Sequence, residues 1–86
     1  MYDYKTQRKA IFTENGQIMF LAIRDKAKEL LAVAGAFRED HVTAGCGGGD
    51  SWDMLACVDR LVELGEIICV NNSSARQYWV YISARR

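Results

Sequence analysis

The chain has 86 residues, half of them hydrophobic and about a quarter charged, which is the composition of one small globular domain. Eleven lysines and arginines balance eleven aspartates and glutamates, so the formal net charge is zero, which excludes a strongly basic or a strongly acidic tail. No apolar run approaches the roughly 20 residues of a membrane span, and residues 2–9 are polar, unlike a secretory signal. Three widely spaced cysteines favour a reducing, cytoplasmic protein without a disulfide framework.

Charge is balanced overall but segregated along the chain. Residues 1–28 carry six basic and three acidic side chains, residues 29–66 carry two and eight, and residues 67–86 carry three and none. The segments therefore have balances of +3, −6 and +3. Such a pattern is typical of solvated surfaces with local ion pairs, and it also places a basic end beside an acidic middle.

A long helix is predicted in the first half of the chain. Residues 1–12 are expected to form a flexible arm or a short strand. Apolar side chains then recur every three to four residues from 17 to 35, with Thr13 as an N-cap and Gly35 as a C-terminal stop. The apolar stripe consists of Met19, Phe20, Ile23, Ala27, Leu30, Leu31 and Ala34.

The middle of the chain combines a core anchor with a glycine-rich connector. Phe37 is expected to lie in the core, and residues 38–42 are expected to form one or two helical turns. Four of the six residues 44–49 are glycine, so this stretch is predicted to be a flexible connector because glycine has much backbone entropy to lose on ordering.

A further helix and a hairpin follow the connector. Asp50 and Ser51 are N-cap candidates, and Gly65 is the expected C-terminal stop. Residues 66–70 and 77–83 are predicted strands, joined by turn-forming residues. The apolar stripe of the helix consists of Met54, Leu55, Val58, Leu61 and Val62, and its opposite side carries Trp52, Asp53, Ala56, Arg60 and Glu63.

The order long helix, short helical segment, helix and two-stranded hairpin is that of a known family. It is sharpest at residues 57–67, CVDRLVELGEI, where an apolar helix end, a glycine stop and an apolar strand follow one another. These features resemble winged helix-turn-helix regulators over residues 50–83. The resemblance implies an α+β winged-helix fold, with a single domain over residues 1–86 and about three helices followed by a C-terminal β-hairpin wing. The chain also has the general character of small prophage-encoded proteins.

The resemblance implies DNA binding and transcription regulation. In this family the third helix enters the major groove and the wing contacts the backbone or minor groove, so double-stranded DNA is a candidate partner. The implied contact residues are Ser51, Trp52, Asp53, Ala56 and Arg60 on the helix, and Asn71, Asn72, Ser73, Ser74, Arg76 and Gln77 in the wing. Further basic residues that would contact phosphates are Lys5, Arg8, Lys9, Arg24, Lys28, Arg85 and Arg86.

The acidic residues of the third helix favour an alternative. Asp53, Asp59 and Glu63 outnumber Arg60 there, and a duplex would repel them. The alternative is a winged-helix module that contacts a protein or forms a homodimer without binding DNA, with Trp52, Asp53, Glu63, Trp79 and Tyr81 as candidate interface residues. The corresponding structural interpretations are that Trp52 packs over the glycine loop or against Phe37, and that the N-terminal arm covers Trp79 and Tyr81.

The sequence predicts no enzyme, metal site or cofactor. The glycine loop lacks the lysine of a P-loop, and His41, Cys46 and Asp50 have no rigid frame for nucleophilic chemistry. The cysteines form no Cys-x-x-Cys pair, so Cys57 and Cys69 are expected to fill the core or its boundary. Anion or small-molecule binding at the start of the following helix is a third alternative.

Overall fold

A computed structural model describes residues 2–46, 51–71 and 75–84. These residues form an α+β structure with four α-helices and a three-stranded antiparallel sheet. The helices are α1 (Tyr4–Gln7), α2 (Glu14–Ala34), α3 (Glu39–Cys46) and α4 (Ser51–Glu63). The strands are β1 (Ala36–Arg38), β2 (Ile67–Asn71) and β3 (Val80–Ser83), and two 3₁₀ turns cover Arg8–Phe12 and Arg76–Tyr78.

Both predicted ends of the long helix α2 are confirmed. The Thr13 hydroxyl accepts a hydrogen bond from the Gly16 N–H at 3.0 Å, as an N-cap does. Gly35 has a φ of 77° and donates its N–H to the Leu31 carbonyl at 2.9 Å, which is the left-handed C-terminal stop. The helix begins at Glu14, three residues before the apolar periodicity starts.

Residues 2–12, hereafter the N-terminal segment, differ from the expected strand or flexible arm. They form α1 and the first 3₁₀ turn, because Ile11 inserts into the core and ties the segment to α2 and α4. The close approach depends on Gly16, where a Cβ would overlap the Ala10 carbonyl oxygen and come within 2.8 Å of the Ile11 carbonyl carbon. Gly16 therefore makes room for the segment at the start of α2.

The sheet contains one strand, β1, that the sequence patterns do not predict. β3 lies at the centre, with β1 and β2 on its two sides, and the register aligns Phe37 with Tyr81 and Ile68 with Ile82. β1 is too short to show an alternating pattern. The C-terminal strand was expected from residue 77 but begins at Val80, because the preceding residues form the second 3₁₀ turn.

The sheet has an inner face against the helices and an outer face away from them. The inner face carries Phe37, Ile67, Cys69 and Tyr81, and the Phe37 and Tyr81 rings stack with centroids 5.3 Å apart. Phe37 is buried, as expected for a core anchor, and Cys57 and Cys69 fill the core and its boundary as predicted. The remaining buried hydrophobic residues are Ile11, Phe20, Ile23, Ala27, Val42, Met54, Ala56, Val58, Leu61 and Ile67.

Candidate functional site

The N-terminal segment lies on the polar side of α4. Tyr2 Oη donates a hydrogen bond to Asp59 Oδ2 at 2.6 Å, and Tyr4 Oη donates to Glu63 Oε1 at 2.7 Å. Gln7 Nε2 donates to Asp53 Oδ1 at 2.6 Å. The three α4 carboxylates that were expected to repel DNA are thus each bound by a side chain of the same chain.

Glu63 is the centre of a small exposed charge cluster. Its Oε1 lies 2.6 Å from Arg60 Nη1 and 3.2 Å from Arg8 Nη2, in addition to the hydrogen bond from Tyr4. The Phe12 ring lies next to both guanidiniums, at 5.2 Å from Arg8 and 5.3 Å from Arg60. The hydrogen bonds from Tyr4 and then Arg60 lower the pKa of Glu63 to about 2, so the carboxylate stays ionised at neutral pH.

Arg76 forms a second, more buried cluster between α3 and α4. Its Nε donates to both carboxylate oxygens of Glu39 at 3.0 Å, and its Nη2 and Nη1 donate to Asp59 at 2.6 and 3.1 Å. The guanidinium also lies 5.4 Å from the Tyr2 ring and 4.9 Å from the Trp79 ring. Burial lowers the pKa of Arg76, but the hydrogen bonds to Asp59 and Glu39 outweigh it and raise that pKa above its ordinary value.

Glu39 is the buried acidic member of this cluster. It is 1% exposed and also accepts a hydrogen bond from Tyr81 Oη at 3.0 Å. Burial raises the pKa of Glu39 above its ordinary value, while the Arg76 hydrogen bond and charge oppose the rise. The Arg76 guanidinium therefore joins the second 3₁₀ turn to α3 and α4 through two carboxylates, and the Tyr81 hydroxyl connects β3 to the same cluster.

A cavity of about 510 Å³ adjoins the Arg76 cluster. It lies between α3, α4 and the residues that precede β3. Its described lining consists of Glu39, Asp40, Thr43, Met54, Leu55, Ala75, Arg76 and Gln77. Residues 47–50 and 72–74 lie outside the described part of the chain.

The structure does not bring the predicted DNA-contacting residues together as one free basic surface. Ala56 was expected to face the groove but is 0% exposed, because the N-terminal segment covers that side of α4. Arg76 was expected in an exposed wing but its guanidinium is held by Glu39 and Asp59. Arg8 and Arg60 both contact Glu63.

The other predicted DNA residues are distributed as follows. Lys5, Lys9, Gln77 and Asn71 are exposed, and Trp52 is exposed at the start of α4. Arg24 lies 3.6 Å from Glu66, and Lys28 is exposed on α2. The Ser51 side chain and residues Asn72, Ser73, Ser74, Arg85 and Arg86 lie outside the part of the chain that the structure describes, as do Asp50 and the Cys46 side chain.

The predicted interface residues also separate into different environments. Tyr81 was a candidate for an exposed aromatic face but is buried on the inner sheet face, where its ring stacks on Phe37 and its hydroxyl donates to Glu39. Trp79 is half-buried beside Arg76, Asp53 is half-buried, and Glu63 is exposed. The Tyr2 ring meets Trp52 edge-on at 6.3 Å, so Trp52 contacts the N-terminal segment.

The buried side of α4 also differs from the expected apolar stripe, because Val62 is exposed while Ala56 and Cys57 are buried.

The outer sheet face carries one wholly apolar row and a second row in which Arg38 on β1 and Asn71 on β2 flank Val80. One row joins Ala36, Ile82 and Ile68, and Ile68 is 45% exposed. In the next row Val80 lies opposite Asn71, and the register shift there adds Val70, which is 54% exposed. Ala36, Val80 and Ile82 on this face are half-buried. Contiguous exposed apolar surface of this kind marks interaction sites more often than chance exposure does.

Sequence reasoning missed this outer face, although a signal was present. Ile67, Ile68, Cys69 and Val70 are apolar at consecutive positions, so side chains on both faces of the strand had to be apolar. A strand with one solvated face alternates apolar and polar residues instead. The sequence analysis uses this run to predict a strand and does not deduce a second apolar face from it.

The described residues were also searched for membrane-spanning helices and for groups of metal ligands. Among the described residues, no helix is both long enough and apolar enough to span a membrane. Within the same ranges, no group of three His, Cys, Asp or Glu side chains is placed to share a metal ion.

Comparison with known proteins gave no matching family model, no matching curated protein and no matching solved structure.

Proposed function

We propose that this chain is a winged-helix domain that functions as a protein-interaction module. The order α2, α3, α4 and then a β2–β3 hairpin supports the winged-helix part of the proposal, since this is the order on which the resemblance rests. The glycine at residue 65 supports it too, because its φ of 75° reverses the chain between α4 and β2.

The observation that carries the interaction role is the exposed apolar surface on the outer sheet face. Its exposed members Ile68 and Val70 belong to one strand, and Ile82 and Val80 continue the apolar surface onto the next. Burying apolar area contributes about 25 cal/mol per Å², so a partner that removes this face from contact with water gains binding free energy.

Charge distribution favours protein over DNA as the ligand. Three of the arginines expected on the DNA surface, Arg8, Arg60 and Arg76, each lie within 3.2 Å of a carboxylate oxygen of this chain. A duplex would have to displace these carboxylates before the arginines could neutralise phosphates, which supply most non-specific affinity.

Site-specific photo-crosslinking in the cells that naturally produce the protein tests this role. We expect an Ile68→p-benzoylphenylalanine variant to give a discrete protein adduct on irradiation. The matched control is Ile18→p-benzoylphenylalanine, since Ile18 is 63% exposed on α2 and lies off the sheet. Adducts at neither position, or equal adducts at both, would refute the outer sheet face as the interaction surface.

DNA binding is the second candidate function, and exposed lysines favour it. Lys5 and Lys9 lie on the N-terminal segment next to α4, and neither has a carboxylate oxygen within 4.0 Å among the described residues. These lysines project from the element that covers the presumed recognition helix. Their position supports contact with phosphates without entry of α4 into the groove.

A salt titration with random-sequence duplex DNA separates the two functions. Non-specific binding is strongest at about 50 mM salt and falls steeply as salt rises. The interaction-module proposal predicts no detectable binding at this salt concentration. Salt-sensitive binding that weakens in the Lys5→Ala/Lys9→Ala double variant, but not in Lys28→Ala on α2, would establish DNA binding instead.

A further inference from the structure

The geometry points to a second copy of this chain as the occupant of the outer sheet face, with the two sheets stacked face to face. This inference rests on the proposed interaction function and names its partner. The supporting observations are the distribution of side-chain size, polarity and charge on the face.

Side-chain size along the first row is self-complementary. The row runs from the small Ala36 on β1, through Ile82 on β3, to the large Ile68 on β2. A two-fold axis parallel to the strands, passing between the stacked sheets, reverses this order in the second copy. Ile68 of each copy then lies over Ala36 of the other, and the two Ile82 side chains meet at the centre.

Polarity along the second row follows the same symmetry. Here Arg38 on β1 and Asn71 on β2 flank Val80, so the axis places Arg38 of one copy near Asn71 of the other. Arg38 is already paired with Asp40, with its Nε 2.7 Å from Oδ1, and therefore brings little uncompensated charge to the contact. Polar groups thus meet at the rim and apolar groups at the centre.

The charge of the whole chain allows two copies to approach. The formal net charge is zero, so no long-range repulsion opposes association. The contact area limits its strength, because three short strands spaced about 4.8 Å apart bury less than the roughly 1,200 Å² of a stable interface. We therefore expect a weak dimer with a dissociation constant of about 10 µM to 1 mM.

Sedimentation equilibrium of the full chain from about 10 to 500 µM tests this dimer. The wild type is expected to be increasingly dimeric over this range. Ile68→Lys should weaken dimerisation at least about tenfold, because it places an ammonium group against an apolar surface. Ile18→Lys, at an equally accessible isoleucine on α2, should leave it unchanged. A wild type that stays monomeric throughout, or equal effects of both substitutions, would overturn the inference.

Exchanging the sizes of two side chains distinguishes this arrangement from non-specific association. Ala36→Leu adds apolar area, which would strengthen non-specific association, yet in the stacked dimer it clashes with Ile68 of the other copy. We expect Ala36→Leu to weaken the dimer and the Ala36→Leu/Ile68→Ala double variant to restore it. Stronger association of Ala36→Leu, or no rescue in the double variant, would contradict face-to-face stacking.

The photo-crosslinking result separates failure of this inference from failure of the proposed function. An Ile68 adduct of twice the chain mass supports the second copy. An Ile68 adduct with a different protein overturns the second copy and keeps the interaction role. Absence of any adduct at Ile68 removes both.

Discussion

The two faces of the small sheet consist of similar side chains in opposite environments. Ile67 and Ile68 are neighbours on β2, yet Ile67 is 2% exposed and Ile68 is 45% exposed. The inner face includes the buried, stacked Phe37 and Tyr81 rings, whereas the outer face is exposed at Ile68 and Val70 and half-buried at Val80 and Ile82. Apolar side chains that stabilise the monomer on one face are thus available to stabilise an assembly on the other.

The largest expected effect is on the inner face. Tyr81→Ala removes a buried ring that stacks on Phe37 and should lower the free energy of unfolding by about 4 kcal/mol, measured by urea denaturation. Tyr81→Phe keeps the ring and loses only the hydrogen bond to Glu39, so it should cost about 1 to 2 kcal/mol. If the two variants were equally stable, ring packing would not be what holds this face.

The next largest loss of stability is expected in the Arg76 cluster. Arg76→Met leaves Glu39 and Asp59 without their shared cation, and we expect a loss of about 3 kcal/mol at pH 7. The exposed pair of Arg38 and Asp40 gives the control, since Arg38→Met should cost no more than about 1 kcal/mol.

The pH dependence of the same variant sharpens this prediction. Burial already raises the pKa of Glu39, and the Arg76 charge opposes the rise, so removing Arg76 raises that pKa further. The penalty should therefore be largest at neutral pH and shrink as falling pH protonates Glu39. A penalty that is constant from pH 7 to pH 4 would show that lost packing, and not an uncompensated carboxylate, causes the loss.

Ile67 and Ile68 test the difference between the two sheet faces most directly, because they are neighbours on β2 and lie on opposite faces. Ile67→Ala should reduce the free energy of unfolding by about 2 kcal/mol, because it opens space in the core. Ile68→Ala should change it by less than about 0.5 kcal/mol in dilute solution, where the outer face is already exposed. Equal losses at the two positions in urea denaturation would mean that the outer face is also part of the monomer's core.

The smallest effect concerns the polar contacts between the N-terminal segment and α4. Hydrogen bonds hold the pKa of Glu63 at about 2, below its ordinary 4.5. Their contribution is therefore complete above about pH 4.5 and is lost as pH falls through about 2. We expect the NMR signals of the Tyr4 ring to shift between pH 5 and pH 2 as the N-terminal segment loosens, and the Glu63→Gln variant to lack this titration.

Local features were predictable from the sequence, while features that join distant residues were not. The cap at Thr13 and the stop at Gly35 depend only on neighbouring residues, and both were correctly placed. The first part of the short helix α3 was also anticipated, but α3 continues to Cys46, into residues that were expected to belong to the flexible connector. These are cases in which backbone chemistry within one or two turns decides the structure.

The candidate site depends on contacts that sequence patterns do not contain. Arg76 meets Glu39 across 37 positions of the chain, and Tyr2 meets Asp59 across 57. Because periodicity reports only which side of an element is apolar, it placed Ala56 on an open side of α4. The N-terminal segment then covered that side and buried the residue.

The order of the strands has a consequence for how the chain folds during synthesis. β3 is the last strand to emerge and is also the central one, hydrogen-bonded to both β1 and β2. Neither neighbour has a sheet partner until residues 80–83 have been synthesised. β1 pairs with residues more than 40 positions downstream. The chain entropy that is lost on closing this long loop is therefore lost only after β3 has been synthesised. The edges of β1 and β2 that face β3 thus keep unpaired backbone N–H and C=O groups until β3 joins them.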